Sequence, residues 1–129
     1  MKDIKDSGLR QTFESGAVRD TNDNKPRPDL ISPLFVERLG RHLAAGARKY
    51  DDWNWAKGIP NSRSFESLMR HLTQFAKGDI DEDHLAAAAC NLMFIIHNEE
   101  TARQGIVLRR NAGILADMPI FHRVTEVTE

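Results

Sequence analysis

From Leu85 to Ile96 every position except Asn91 is apolar or alanine, and the acidic run Asp81-Glu82-Asp83 followed by His84 comes just before. A stretch that is apolar all round predicts a helix enclosed by a helical assembly. His84, Asn91 and Asn98 recur every seven residues, so they share one stripe of that helix. Asp81 or Asp83 is placed to cap its start, and the pattern carries it to about Thr101. Upstream, Phe65, Leu68, Met69, Leu72, Phe75 and Ala76 recur at helical spacing and predict a helix from Ser64 to Lys77, ended by Gly78-Asp79. Glu66 and Arg70 flank this stripe on one side, and Ser67 and His71 on the other. An earlier helix begins at Ser32-Pro33, with serine as the cap and proline at the first helical position. Leu34, Phe35, Leu39, Leu43, Ala47 and Tyr50 form its apolar face, and Glu37, Arg38, Arg41 and Arg48 lie opposite. His42 falls near the centre of the apolar face, where a hydrogen-bonded core histidine is the ordinary reading.

Between these periodic segments the pattern fades. Residues 1–32 are polar and broken by Gly8, Gly16, Pro26 and Pro28, which predicts an extended arm. Residues 51–63 read as a loop containing Trp53 and Trp55. Two tryptophans there are either caps on the core or a stacking surface for a planar ligand. After Arg103, Ile106-Val107-Leu108 and Ile114-Leu115 suggest a short helix stopped by Pro119, then a tail. The expected fold class is all-α: a helical bundle with an extended N-terminal arm. The expected organisation is an arm over 1–32, a catalytic core over 33–103, and a C-terminal helix or tail over 104–129 available for subunit packing.

The 129 residues suit one domain and carry a formal net charge of −1. That balance gives no electrostatic case for non-specific nucleic-acid binding. The single cysteine, Cys90, lies within the apolar run and reads as a small buried hydrophobe. A reducing compartment fits this usage. The run Met1 to Asp6 has no apolar signal core, and the apolar helix is short of a bilayer span. The expectation is a soluble protein of the cytoplasm, without membrane or nucleic-acid partners.

The polar groups nearest the predicted helices are Glu66, His71, Asp79, Asp81, Glu82, Asp83, His84 and Asn91. Converging carboxylates repel one another, and a divalent cation is the usual compensation. Oxygen-rich ligands suit Mg²⁺ or Mn²⁺, which commonly also hold substrate phosphates. The plain alternative is an acidic helix start favoured by the macrodipole. Lys25, Arg27, Arg38, Lys49, Lys57 and Arg70 are available for a polyphosphate. There is no Walker-type or G-x-G-x-x-G loop and no C-x-x-C pair, which excludes a P-loop, a dinucleotide fold and a thiolate zinc site. The His-Asp dipeptide of helical metal phosphohydrolases is also absent; Asp83-His84 runs in the reverse order.

Several blocks in order carry a resemblance. They are Gly46-Ala47-Arg48-Lys49-Tyr50, Asn54-Trp55 with Lys57-Gly58, Arg70-His71-Leu72, Asp81 through Ala88, and Asn91-Leu92. Gly16 to Asp20, Lys25, Arg27, Asp29 and Leu30 extend it toward the N-terminus. Over about residues 7–98 the chain resembles the phage dATP/dGTP diphosphohydrolase family, which includes MazZ-type enzymes of viruses that replace adenine with 2-aminoadenine. The resemblance implies an all-α fold of the MazG-like nucleoside triphosphate pyrophosphohydrolase type. It also implies hydrolysis of a purine dNTP, dGTP and also dATP, to the monophosphate and pyrophosphate with Mg²⁺ or Mn²⁺.

The typical MazG-like signature places paired carboxylates three apart, but here Ala88 and Asn91 stand at two such places. The expected metal ligands are therefore Glu66, Glu82 and Asp83, with Glu37 in reserve. Glu66, His71 and His84 are the expected catalytic groups, and Lys49, Asn54, Trp55, Arg70 and Asn91 the expected substrate contacts. A non-catalytic helical binding or assembly protein, and a relative acting on a pyrimidine such as dUTP, are the competing readings. An all-apolar helix with few neighbours also predicts a homo-oligomer, a dimer or a tetramer.

Overall fold

The computed structural model describes residues 3–105 and 116–118. It is mostly helical and divides into two compact units, residues 1–32 and 33–129.

The first unit corrects the expectation of a wholly α-helical chain with an extended arm. β1 (Arg10–Thr12) and β2 (Val18–Asp20) pair antiparallel, with Arg10 opposite Asp20 and Thr12 opposite Val18. Gly16, at φ 88°, lets the chain reverse, and its N–H donates to Phe13 O. Asp20 holds the hairpin base. It accepts from Ser7 Oγ and from Ser7 N at 3.2 Å, and pairs with Arg10 at 3.5 Å and Lys25 at 3.8 Å. Both faces of these short strands are largely exposed, so no hydrophobic alternation marks them in the sequence.

In the second unit, α1 (Pro33–Lys49), α2 (Asn61–Lys77) and α3 (His84–Arg103) follow in order. α1 begins where Ser32-Pro33 predicts. Leu39, His42, Leu43, Gly46 and Ala47 are its less exposed positions, at the spacing of one face. α2 starts three residues earlier than periodicity suggests. The N–H and hydroxyl of Ser62 both donate to the Asp117 carboxylate, which caps this end from far along the chain. At the other end Gly78 is left-handed, Asp79 N donates to Gln74 O and Gly78 N to Phe75 O, a Schellman closure. Asp83 caps α3 by accepting from Ala86 N at 3.1 Å. The same carboxylate takes two 2.7 Å bonds from Arg38, tying α1 to the start of α3.

α3 packs most extensively against α2 and secondarily against α1. Ala86, Ala87, Ala88 and Cys90 are buried. The seam between α2 and α3 is polar and made of small residues. Asn91 Nδ2 donates to Ser67 Oγ at 3.3 Å, and Asn98 Nδ2 donates to Asn61 Oδ1 and Ile59 O, both at 2.8 Å. The exposed apolar side chains of both helices stand out here. The apolar stripe of α2 is largely outward, with Phe65, Met69, Leu72 and Phe75 exposed. α3 is not enclosed by the described residues either, because Leu85, Leu92 and Ile96 remain in solvent. No helix among the described residues is long and apolar enough to cross a membrane. The predicted short helix over 106–115 and the tail lie outside the described residues.

Candidate metal and nucleotide site

Where α2 and α3 converge, two histidines meet. His84 sits at the first turn of α3 and is 2% exposed; His71 lies on the facing side of α2 and is half-buried. Their Nδ1 atoms are 2.9 Å apart. The other ring nitrogen of His84, Nε2, is 2.8 Å from Asp81 Oδ1. In neutral His84 the Nε2–H donates to Asp81, which leaves Nδ1 to accept the Nδ1–H of His71. Glu82 Oε1 stands 3.7 Å from His71 Nδ1. The turn Gly78 to Asp83 aims these carboxylates back at the seam, because α3 starts directly after it.

The electrostatics follow the contacts. Burial lowers the His71 pKa, opposed by the nearby Glu82 charge. A neutral imidazole is the form that binds a metal. The hydrogen bond from His84 lowers the Asp81 carboxyl. Asp83 is held down to about 2, chiefly by the Arg38 guanidinium.

Among the described residues two overlapping groupings are able to hold a metal ion: His71, Glu82 and His84, and Asp79, Asp81 and His84. Their ligand atoms lie within 4.8 Å of one another. Two nitrogen ligands at adjacent corners of an octahedron, with bonds of about 2.1 Å, stand about 3.0 Å apart. The 2.9 Å between the histidine nitrogens has that spacing. A metal-bound histidine usually gives its second N–H to a carboxylate, as His84 gives it to Asp81.

Residues 15–106 match the protein family described as dATP/dGTP diphosphohydrolase, N-terminal, a span that includes α1, α2 and α3. The chain belongs to this family. A protein of Salmonella phage PMBT28 named dATP/dGTP diphosphohydrolase is 38% identical over 71 residues, covering 51% of this chain. The aligned part spans only 24% of that relative's length. No solved structure matches.

Within this member of the dATP/dGTP diphosphohydrolase N-terminal family, the structure brings together His71, His84 and Glu82 from the sequence-derived set, and adds Asp81 and Asp79. It does not bring Glu66 to them. Glu66 is exposed and bonded at 2.9 Å to both Arg63 and Arg70, of which the Arg70 bond chiefly lowers its carboxyl. The simple ion pair is therefore what the Glu66–Arg70 spacing produced. Asp83 is occupied by Arg38 and by the cap. Asn91 bonds Ser67 and Ala87 O within the seam. The exposed Lys49 ammonium lies over the Tyr50 ring, 5.2 Å from its centre. The two tryptophans differ in their surroundings. Trp55 stacks on Phe94 at 5.5 Å and meets His97 edge-on, a cap on α3, while Trp53 is 70% exposed. Asn54 opens the 3-10 turn Asn54–Lys57 that carries Trp55. Asp81 was visible in the sequence as part of the acidic run. Only its three-residue offset from His84 distinguishes it from its neighbours.

Proposed function

We propose that this chain hydrolyses purine deoxynucleoside triphosphates, dGTP and also dATP, to the monophosphate and pyrophosphate with a divalent metal. The observation that carries the reading is the convergence of His71, His84 and Glu82, backed by Asp81, in a member of a family named for dATP/dGTP diphosphohydrolases. His71 Nδ1, His84 Nδ1 and Glu82 are the proposed ligands. Two imidazoles and one carboxylate favour Mn²⁺ over Mg²⁺. When bound, such an ion polarises a phosphoryl oxygen and acidifies a water molecule. Asp81 fixes the His84 ring. Asp79 or Asp81, whose carboxylates lie within 4.8 Å of a His84 nitrogen, would take the proton from the attacking water. Arg70 supplies positive charge for the phosphates.

The same reading takes residues 33–103 as the catalytic core of a MazG-like bundle, and the exposed stripes of α2 and α3 as surfaces between copies in a homo-oligomer. The cell context is the cytoplasm of a phage-infected host, where the dGMP released feeds synthesis of a 2-aminoadenine nucleotide.

The test is to incubate the protein with each dNTP and Mn²⁺ or Mg²⁺, and to follow pyrophosphate and nucleotide products. Expected is purine turnover, faster with Mn²⁺, releasing monophosphate and pyrophosphate in equal amounts. Absence of turnover with every dNTP supports a binding or assembly module instead. A preference for dUTP moves the fold to a pyrimidine substrate.

A further inference from the structure

We infer that the cavity between α1, the 3-10 turn and α3 is a nucleobase site that favours a base edge carrying adjacent hydrogen-bond donors, with Trp53 as its cover. The inference rests on the nucleotide reading above and assigns that substrate's base to a place. The cavity has a volume of about 630 Å³, within the range of small-molecule sites. Tyr50, Trp53, Trp55 and Phe94 line it, and Gly46 leaves its α1 side open: a Cβ added there would meet nothing within 4 Å.

Trp53 is the unusual member. It is left-handed, at φ 62° and ψ 18°, and mostly exposed, with its ring 5.8 Å from Trp55 and tilted by 45°. Few non-glycine residues take that conformation, and they collect at ligand clamps. An indole held in water beside a stacked partner gains burial when a flat ring slides under it.

The polar lining sets the chemistry of that ring. Asp51 and Asp52, both exposed, are among the cavity's lining residues, and no lysine or arginine lines it among the described residues. Neither carboxylate is bonded through its side chain to another described residue. Carboxylates only accept hydrogen bonds. Guanine offers N1–H and the 2-amino group side by side, a matching pair. Adenine offers its 6-amino group beside the N1 lone pair, which a carboxylate repels. The two carboxylates repel phosphate, so the phosphates extend along α3 toward the histidine pair. From Phe94 back to His84 is ten residues of α3, about 15 Å at the helical rise, the scale of a nucleoside triphosphate.

The experiment uses nucleosides, which have no phosphate to hydrolyse. Deoxyguanosine and deoxyadenosine are titrated into the metal-free protein, following tryptophan fluorescence and calorimetric heat. Deoxyguanosine is expected to bind about tenfold more tightly than deoxyadenosine. Gly46→Leu brings a side chain onto the α1 wall of the cavity, where a Cβ meets nothing within 4 Å, and is expected to keep the helical spectrum and melting temperature while losing binding. Trp53→Ala is expected to weaken binding about tenfold. Asp51→Asn with Asp52→Asn is expected to narrow the guanine preference. No deoxyguanosine binding by the wild type, or unchanged binding by folded Gly46→Leu, overturns the site. Equal binding of both nucleosides overturns the donor-edge selectivity. Nucleoside binding without dNTP turnover would remove the hydrolase reading and leave this site standing.

Discussion

Three consecutive carboxylates do three different things here. Asp83 caps α3 and binds Arg38; Asp81 orients His84; Glu82 faces His71. Glu82 stands 3.7 Å from His71 Nδ1, while Asp81 holds the ring nitrogen of His84 that points away from the pair and Asp83 is taken up by Arg38, so Glu82 is the carboxylate whose removal should cost metal binding. Glu82→Gln should weaken Mn²⁺ binding and dNTP hydrolysis by at least about tenfold, since one charge-bearing ligand is lost. Glu66→Gln should change Mn²⁺ affinity little, because its partners are Arg63 and Arg70. Calorimetric Mn²⁺ titration of both variants checks this; the reverse order would make Glu66, and not Glu82, a ligand. Cys90 gives a second residue-level expectation. It is 1% exposed, and burial pushes its thiol up to about 11. A thiol held in its protonated form reacts slowly. At pH 8 the native protein should resist an aromatic disulfide reagent, and denaturant should release one fast-reacting thiol. Fast reaction in the native state would show that the seam around Cys90 opens readily.

At the scale of the elements, the Arg38–Asp83 pair links α1 to the cap of α3, and its pH dependence has a definite sign. The folded carboxyl, at about 2, lies below the ordinary value of about 3.9. Its stabilisation is therefore present above about pH 4 and fades as pH falls through about 2. Asp83→Asn should lower stability near neutral pH by about 0.5–1 kcal/mol, a modest amount because the pair is partly in solvent. That difference should shrink between about pH 4 and about 2 in chemical denaturation with chelator present. A constant difference across that range would assign the effect to the cap alone. The starts of α1 and α3 were legible because Ser32-Pro33 and Asp83 carry local capping chemistry. The start of α2 was not, since its cap comes from Asp117, and sequence spacing does not show a partner so distant. The hairpin was missed because three-residue strands with exposed faces leave no alternation. The stripe His84, Asn91, Asn98 was legible from its seven-residue spacing, and all three residues do face α2. The packing face of α2 was misread: its apolar stripe dominates the periodicity, but Asn61, Ser67 and His71 make the hydrogen bonds across the seam.

At the scale of the whole molecule, that outward apolar stripe is the feature left to explain. On α3, Leu85, Leu92 and Ile96 are 36%, 47% and 52% exposed, one to three turns apart on one side. On α2, Phe65, Met69, Leu72 and Phe75 are 41%, 47%, 40% and 52% exposed. Covering half-exposed side chains of this size contributes roughly 1 kcal/mol each. Contiguous exposed apolar patches of this kind mark association surfaces. In the proposed oligomer a second copy covers them, and two helix pairs meeting through matching stripes give closed two-fold symmetry. Sedimentation equilibrium should return the mass of a dimer or tetramer. Leu92→Glu with Ile96→Glu should reduce it to a smaller species. Because both side chains already stand half in water, the helical spectrum should persist in that variant. A single-chain mass for the wild type would end the oligomer reading. An unchanged mass for the double variant would move the interface to the α2 stripe, where Met69→Glu with Leu72→Glu is the corresponding test.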